Sequence, residues 1–184
     1  EITDEFTKLR GEIQLLTGET GDNLDKFTVG ISAISDTFGQ DSNEVLQAAN
    51  SLTKNLTGDF DESLKLIKEG FLSGANLNDN FLHTLKEYPV FFKDAGLNGE
   101  QFISTISQQV KSGVFSDKGI DAFKEAKLQL TELPKAAQDA LTAIGISSDD
   151  LRKQIEKEGV GAAIQTVSKR LGTLEKDSPA AAAA

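Results

Sequence analysis

The residue types able to do chemistry are few in this chain, and they crowd into one stretch. "FLHTLKEYPVFFKDAGLNGEQFI", residues 81–103, holds the only histidine (His83), the only tyrosine (Tyr88), one of three prolines (Pro89) and the pair Phe91-Phe92. Nucleophilic catalysis needs a nucleophile, a base and an orienting group in contact. Read as a helix, the stretch has an apolar face of Leu77, Phe81, Leu82, Leu85 and Tyr88. His83 then lies about 200° around from Phe81 and faces solvent. With no cysteine and no second histidine, the expectation is no catalytic residue.

Other chemistries fail on spacing. There is no H-E-x-x-H and no Cys/His cluster, so no metal is expected. The acidic stretches "GDFDESLKLIKE" and "ANLNDNFLHTL" suggest calcium loops, but the sixth position needs glycine. Counting from Asp59 it is Leu64, and from Asn76 it is Phe81. "SGVFSDKGID" has scattered glycines but no G-K-[ST] of a phosphate loop, and "EGVGAAI" follows a helical pattern rather than a strand. No cofactor is expected. Asn55-Leu56-Thr57 matches a glycosylation acceptor and carries little weight alone. Carboxylate pairs for glycoside hydrolysis are unavoidable among 29 acids. Such a pair would need a carboxyl held protonated in an apolar pocket.

A DNA-reading helix-turn-helix fits "ALTAIGISSDDLRKQI", residues 140–155, and more loosely "FKDAGLNGEQFISTI". The second helices there open with Asp149-Asp150 and Glu100, which would meet phosphates. The whole chain opposes that partner as well. Its formal charge is −10 and its pI about 4.6, against the cationic surface that phosphates or anionic lipids attract. Residues 1–75 carry 14 acids and 6 bases, while 76–184 carry 15 and 13. No apolar run is long enough to span a bilayer. The chain starts at Glu1 without any methionine, which suggests an internal piece of a longer protein. Residues 176–184, ending in five alanines, are set aside as a tag or unassigned tail.

The elements that must position these residues read as helices almost throughout. Apolar residues recur at three- and four-residue steps in Ile2, Phe6, Leu9, Ile13 and Leu16, and in Leu24, Phe27, Ile31, Ile34 and Phe38. The pattern continues over 42–57, 61–72, 99–112, 117–132, 148–158 and 160–172. "LQLTEL", 128–133, alternates like a strand, but it is short and lies between helical patterns, so it reads as helix. Glycines 39, 58, 74, 96, 113 and 145 close helices. After each comes Asp, Ser or Asn and an acid-rich first turn. Glycine accepts the left-handed backbone of a helix end, short polar side chains accept from free N–H groups, and acids complement the helix dipole. The spacings of these glycines are 19, 16, 22, 17 and 32 residues, too uneven for a solenoid. The expected fold is all-α, an irregular bundle of about eight to ten short helices. It spans 1–175 as one helical domain, with 1–75 and 76–175 as candidate packed subdomains.

Several motifs together resemble the tail tape measure proteins of bacteriophages and prophages. They are Gly70-Phe71-Leu72-Ser73-Gly74-Ala75, Leu85-Lys86-Glu87-Tyr88-Pro89 and Ala95-Gly96-Leu97. Downstream follow Gly113-Val114-Phe115-Ser116-Asp117-Lys118-Gly119-Ile120-Asp121, Leu133-Pro134-Lys135 and Ala140-Leu141-Thr142-Ala143-Ile144-Gly145. "TFGQDSNEVLQAANSLTKNL" fits upstream, so the resemblance covers roughly 35–172. It implies a structural part in tail assembly and length determination, in the virion tail and in the host cytoplasm during assembly. It implies tube, tail tip or baseplate proteins and an assembly chaperone as partners. It implies no enzyme, and no nucleic acid or membrane bound through this piece. The alternatives are a module associated with cell-wall hydrolysis and a DNA-binding helix-turn-helix.

Overall fold

The structure, a computed structural model, describes residues 2–113 and 116–174, and side chains at 3–113 and 121–174. Among the described residues it is all-α. The helices are α1 (Ile2–Thr17), α2 (Gly21–Phe38), α3 (Ser42–Leu52), α4 (Phe60–Leu72), α5 (Phe81–Glu87) and α6 (Pro89–Asp94). After them come α7 (Gly99–Lys111), α8 (Ser116–Glu132), α9 (Lys135–Ala143), α10 (Ser148–Glu158) and α11 (Val160–Leu171). A π turn, Thr53–Thr57, joins α3 to α4. "LQLTEL" is helical through Glu132.

Local chemistry sets the helix ends. All six glycines read as helix stops adopt a left-handed φ, between 64° and 85°. The Asp41 carboxylate accepts from the N–H groups of Asn43 and Glu44, and that of Asp59 accepts from Glu62. Asn98 and Gln101 form a reciprocal capping box, and the Ser147 hydroxyl accepts from Asp150. Replacing Asp41 by alanine frees two donors at the start of α3. The expected cost is about 1 kcal/mol, read as a lower urea midpoint with an unchanged slope.

The described chain divides into two compact units. One is Glu1–Lys93 with Leu97–Ser116, the other Asp94–Gly96 with Asp117–Ala184. In the first, α3 is the hub, in contact with α1, α2, α4 and α5. Ala48 and Ala49 on α3 are fully buried and let neighbours approach closely. Phenylalanines fill the wider gaps. Phe92 and Phe102 lie 4.3 Å apart between centroids, while Phe71 stacks on Phe38 at 4.6 Å and meets Phe81 edge-on at 5.1 Å. Ion pairs of Arg10 with Asp25, Lys26 with Asp61 and Lys86 with Glu44 link neighbouring helices. The first two are solvent-exposed and add little stability; the third is part-buried.

The second unit has a thinner core of Leu130, Leu133, Leu141, Ile144, Leu151, Val160 and Ala163. Its α10 packs along α11, and the Gly161 N–H donates to the Ala95 carbonyl at 2.8 Å. The Arg170 Nε donates to the Ile144 carbonyl at 2.6 Å, satisfying the C-terminus of α9.

Periodicity overstated some faces. Leu77 is 77% exposed because α5 starts only at Phe81, leaving Leu77 in the preceding turn. After Pro89, Val90 is exposed, while Phe92 is fully buried with the half-buried Phe91 edge-on to it at 5.9 Å. Phe6, Leu16 and Leu128 fit helical stripes yet lie largely open. The 42–57 stripe also does not make one α-helix, because α3 stops at Leu52 and the π turn takes over.

Candidate functional site

The crowded stretch does not assemble a reactive centre. His83 is exposed on α5, while Phe81, Leu82, Thr84 and Leu85 around it turn inward. Tyr88 is half-buried at the end of α5, and its N–H donates to the Thr84 carbonyl at 3.2 Å. Pro89 opens α6 and is buried. A proline at a first helical position loses no hydrogen bond and is held at a suitable φ.

The motif residues are spread through the structure, and most serve packing or turns. Gly70 sits inside α4 against the Phe81 ring; a Cβ built there would lie 2.1 Å from Cζ of that ring. Phe71 bridges Phe38 and Phe81. Gly74 and Gly96 take left-handed turns after α4 and α6. Gly145 does the same after α9, with the Arg170 guanidinium close by. Pro134 is the N-cap of α9, and the buried Leu133 before it holds φ at 44°. A branched side chain there is strained, and its burial compensates. Asp121 is exposed on α8 beside Lys124. Phe115 and the side chains at Asp117 and Gly119 lie outside the described residues.

Three surface features remain as candidates. In the first unit, Glu69 and Glu100 line a groove of about 320 Å³ between α4 and α7, with Ser73, Ser104, Ser107, Gln108 and Lys111. Both carboxylates are exposed. Leu66 and Ile103 line it too, but both carboxylates stay exposed to solvent, unlike a general acid kept protonated in an apolar pocket. Glu5, Glu12 and Asp41 line a second polar hollow with Lys8 and Ser42. In the second unit, α8, α9 and α11 border an apolar groove of about 340 Å³ lined by Leu130, Leu141, Ile144, Ile164 and Val167.

Among the described residues, no group of three or more His, Cys, Asp or Glu side chains is placed to hold a metal ion. Among them, too, no helix is long and apolar enough to cross a membrane. The helix-turn-helix spacing at 140–155 is realised by α9 and α10, with Asp149 and Asp150 exposed at the start of α10. Those two acids would lead any approach to a phosphate backbone.

What the geometry presents is a set of packed, capped helices with surfaces suited to protein contacts. No curated protein and no solved structure matches the chain. The sequence profile of the phage-related minor tail proteins matches residues 3–184, nearly its whole length. The chain therefore belongs to the family of phage-related minor tail proteins.

Proposed function

We propose that this chain is a folded, non-enzymatic module of a tail tape measure protein, acting near one end of that protein as a docking and assembly element. Family membership gives the coarser statement, a structural component of a phage tail in contact with other tail proteins. The finer reading is carried by the ordered motifs. Gly70, Phe71, Gly74, Pro89, Gly96, Pro134 and Gly145 resemble tape measure sequences, and each has a packing or turn role. Tube, tail-tip or baseplate proteins and an assembly chaperone are its proposed partners. Its proposed place is the virion tail, and the host cytoplasm while tails assemble.

A tape measure acts at full stretch, whereas this piece packs the buried Phe27 of α2 on the buried Phe60 of α4, 4.5 Å between centroids and far apart in sequence. A compact module fits an end of the ruler better than its middle. The test is an in-frame deletion of codons 2–174 in the phage that encodes the chain, followed by electron microscopy of the particles. Failed or irregular tail assembly is the expected result. Tails uniformly shortened by about 260 Å, at 1.5 Å per helical residue, would keep the ruler but overturn the compact docking element. Infectious particles with tails of normal length would overturn both. Release of soluble fragments from peptidoglycan by the purified chain would overturn the non-enzymatic reading.

A further inference from the structure

The π turn between α3 and α4 has an unusual arrangement of hydroxyls. Thr53 Oγ1 lies 2.8 Å from the Ala49 carbonyl and 2.8 Å from Ser63 Oγ. Thr57 Oγ1 lies 2.7 Å from Ser63 Oγ and 2.9 Å from the Asp59 carbonyl. Ser63 Oγ also lies 2.9 Å from the Asp59 carbonyl. Each hydroxyl has one hydrogen, so three hydrogens serve five close oxygen–oxygen contacts. At any moment two contacts set lone pair against lone pair. The Asp59 N–H donates to Thr57 Oγ1 at 3.3 Å, but the five oxygen–oxygen contacts still share the same three hydrogens.

Ser63 is fully buried, so water has little access to repair the deficit. Yet none of residues 53–59 is itself buried, and the turn gains little from apolar packing. It is wound i→i+5, the Gly58 N–H donating to the Thr53 carbonyl at 2.9 Å. Such single π turns are rare and recur at functional sites. Here the left-handed Gly58, at φ 72°, closes the turn and lets α4 start at Phe60.

We propose that the Thr53–Gly58 turn is a strained joint, held by a hydrogen-poor cluster of the Thr53, Thr57 and Ser63 hydroxyls, at which α4 opens from α3 before the rest of the first unit. The inference does not rest on the tail role.

The test is native-state hydrogen exchange on the full 184-residue chain, with a variant that inverts the usual expectation. Ser63→Ala leaves two hydroxyl hydrogens for two contacts, Thr53 to the Ala49 carbonyl and Thr57 to the Asp59 carbonyl. Exchange of the Gly58 amide and its neighbours should slow by about fivefold, although a buried hydroxyl has been removed. Thr57→Val reduces the deficit from two contacts to one and should slow exchange by less. In the parent, the turn amides should exchange faster than those of Ala48, Ala49 and Ile106, at rates insensitive to low denaturant. The proposal is overturned if Ser63→Ala speeds exchange at the turn, as loss of a satisfied buried hydroxyl would. It is equally overturned if the turn amides exchange in step with the core.

Discussion

Gly70→Ala will destabilise the first unit by about 3 kcal/mol, though alanine is the better helix former by about 1 kcal/mol. The added methyl would lie 2.1 Å from Cζ and 2.7 Å from Cε1 of Phe81. Neither side can yield cheaply. Gly70 is buried in the last turn of α4, and the Phe81 ring is 1% exposed and in edge contact with Phe71. Urea unfolding followed by far-ultraviolet circular dichroism measures the loss. A second substitution isolates its cause. Phe81→Leu alone should destabilise by leaving a void, but in the Gly70→Ala background it should recover part of the loss. The double-mutant cycle should show a coupling energy above about 1 kcal/mol. Additive effects would mean that the methyl and the ring do not compete for one space.

The second large effect is at Phe102. Its ring is fully buried on α7 and lies 4.3 Å from Phe92 of α6, itself fully buried. Phe102→Ala removes both the buried area and one ring of a close, tilted aromatic pair, with an expected cost of about 4 kcal/mol. For a protein of this size that corresponds to a fall of roughly 10 °C in melting temperature. Phe102→Leu should cost less than half as much, because most of the contribution comes from volume and burial that leucine largely restores. If Phe102→Ala melts with the parent, the seam between α6 and α7 does not hold this unit together.

The crowded stretch shows how far residue types alone can mislead. Its histidine is exposed, and its tyrosine and proline break one helix and begin another. Rare residues cluster here because a sharp helix junction needs proline at a first helical position and aromatic mass beside it. The same logic explains the candidate surfaces. Which of 29 acids meet in a groove, such as Glu69 with Glu100, depends on α4 lying beside α7 and has no local signal.

By itself the sequence determined the all-α class, nearly every helix end and the outward position of His83. Those features depend on a few adjacent residues, through glycine at left-handed positions, short polar caps and apolar spacing that matches the helical period. Only the tertiary structure decided which apolar residues are covered, leaving Leu77 and Leu128 open while Ala48 and Ala49 vanish inside. It alone showed why position 70 must be glycine, since the obstacle is a ring from another helix. It also interrupted the continuous stripe of 42–57 with a π turn, at which Ser63, ten residues beyond Thr53, brings a third hydroxyl against those of Thr53 and Thr57. Local rules set each helix and its ends; side chains arriving from elsewhere decided what each helix had to accommodate.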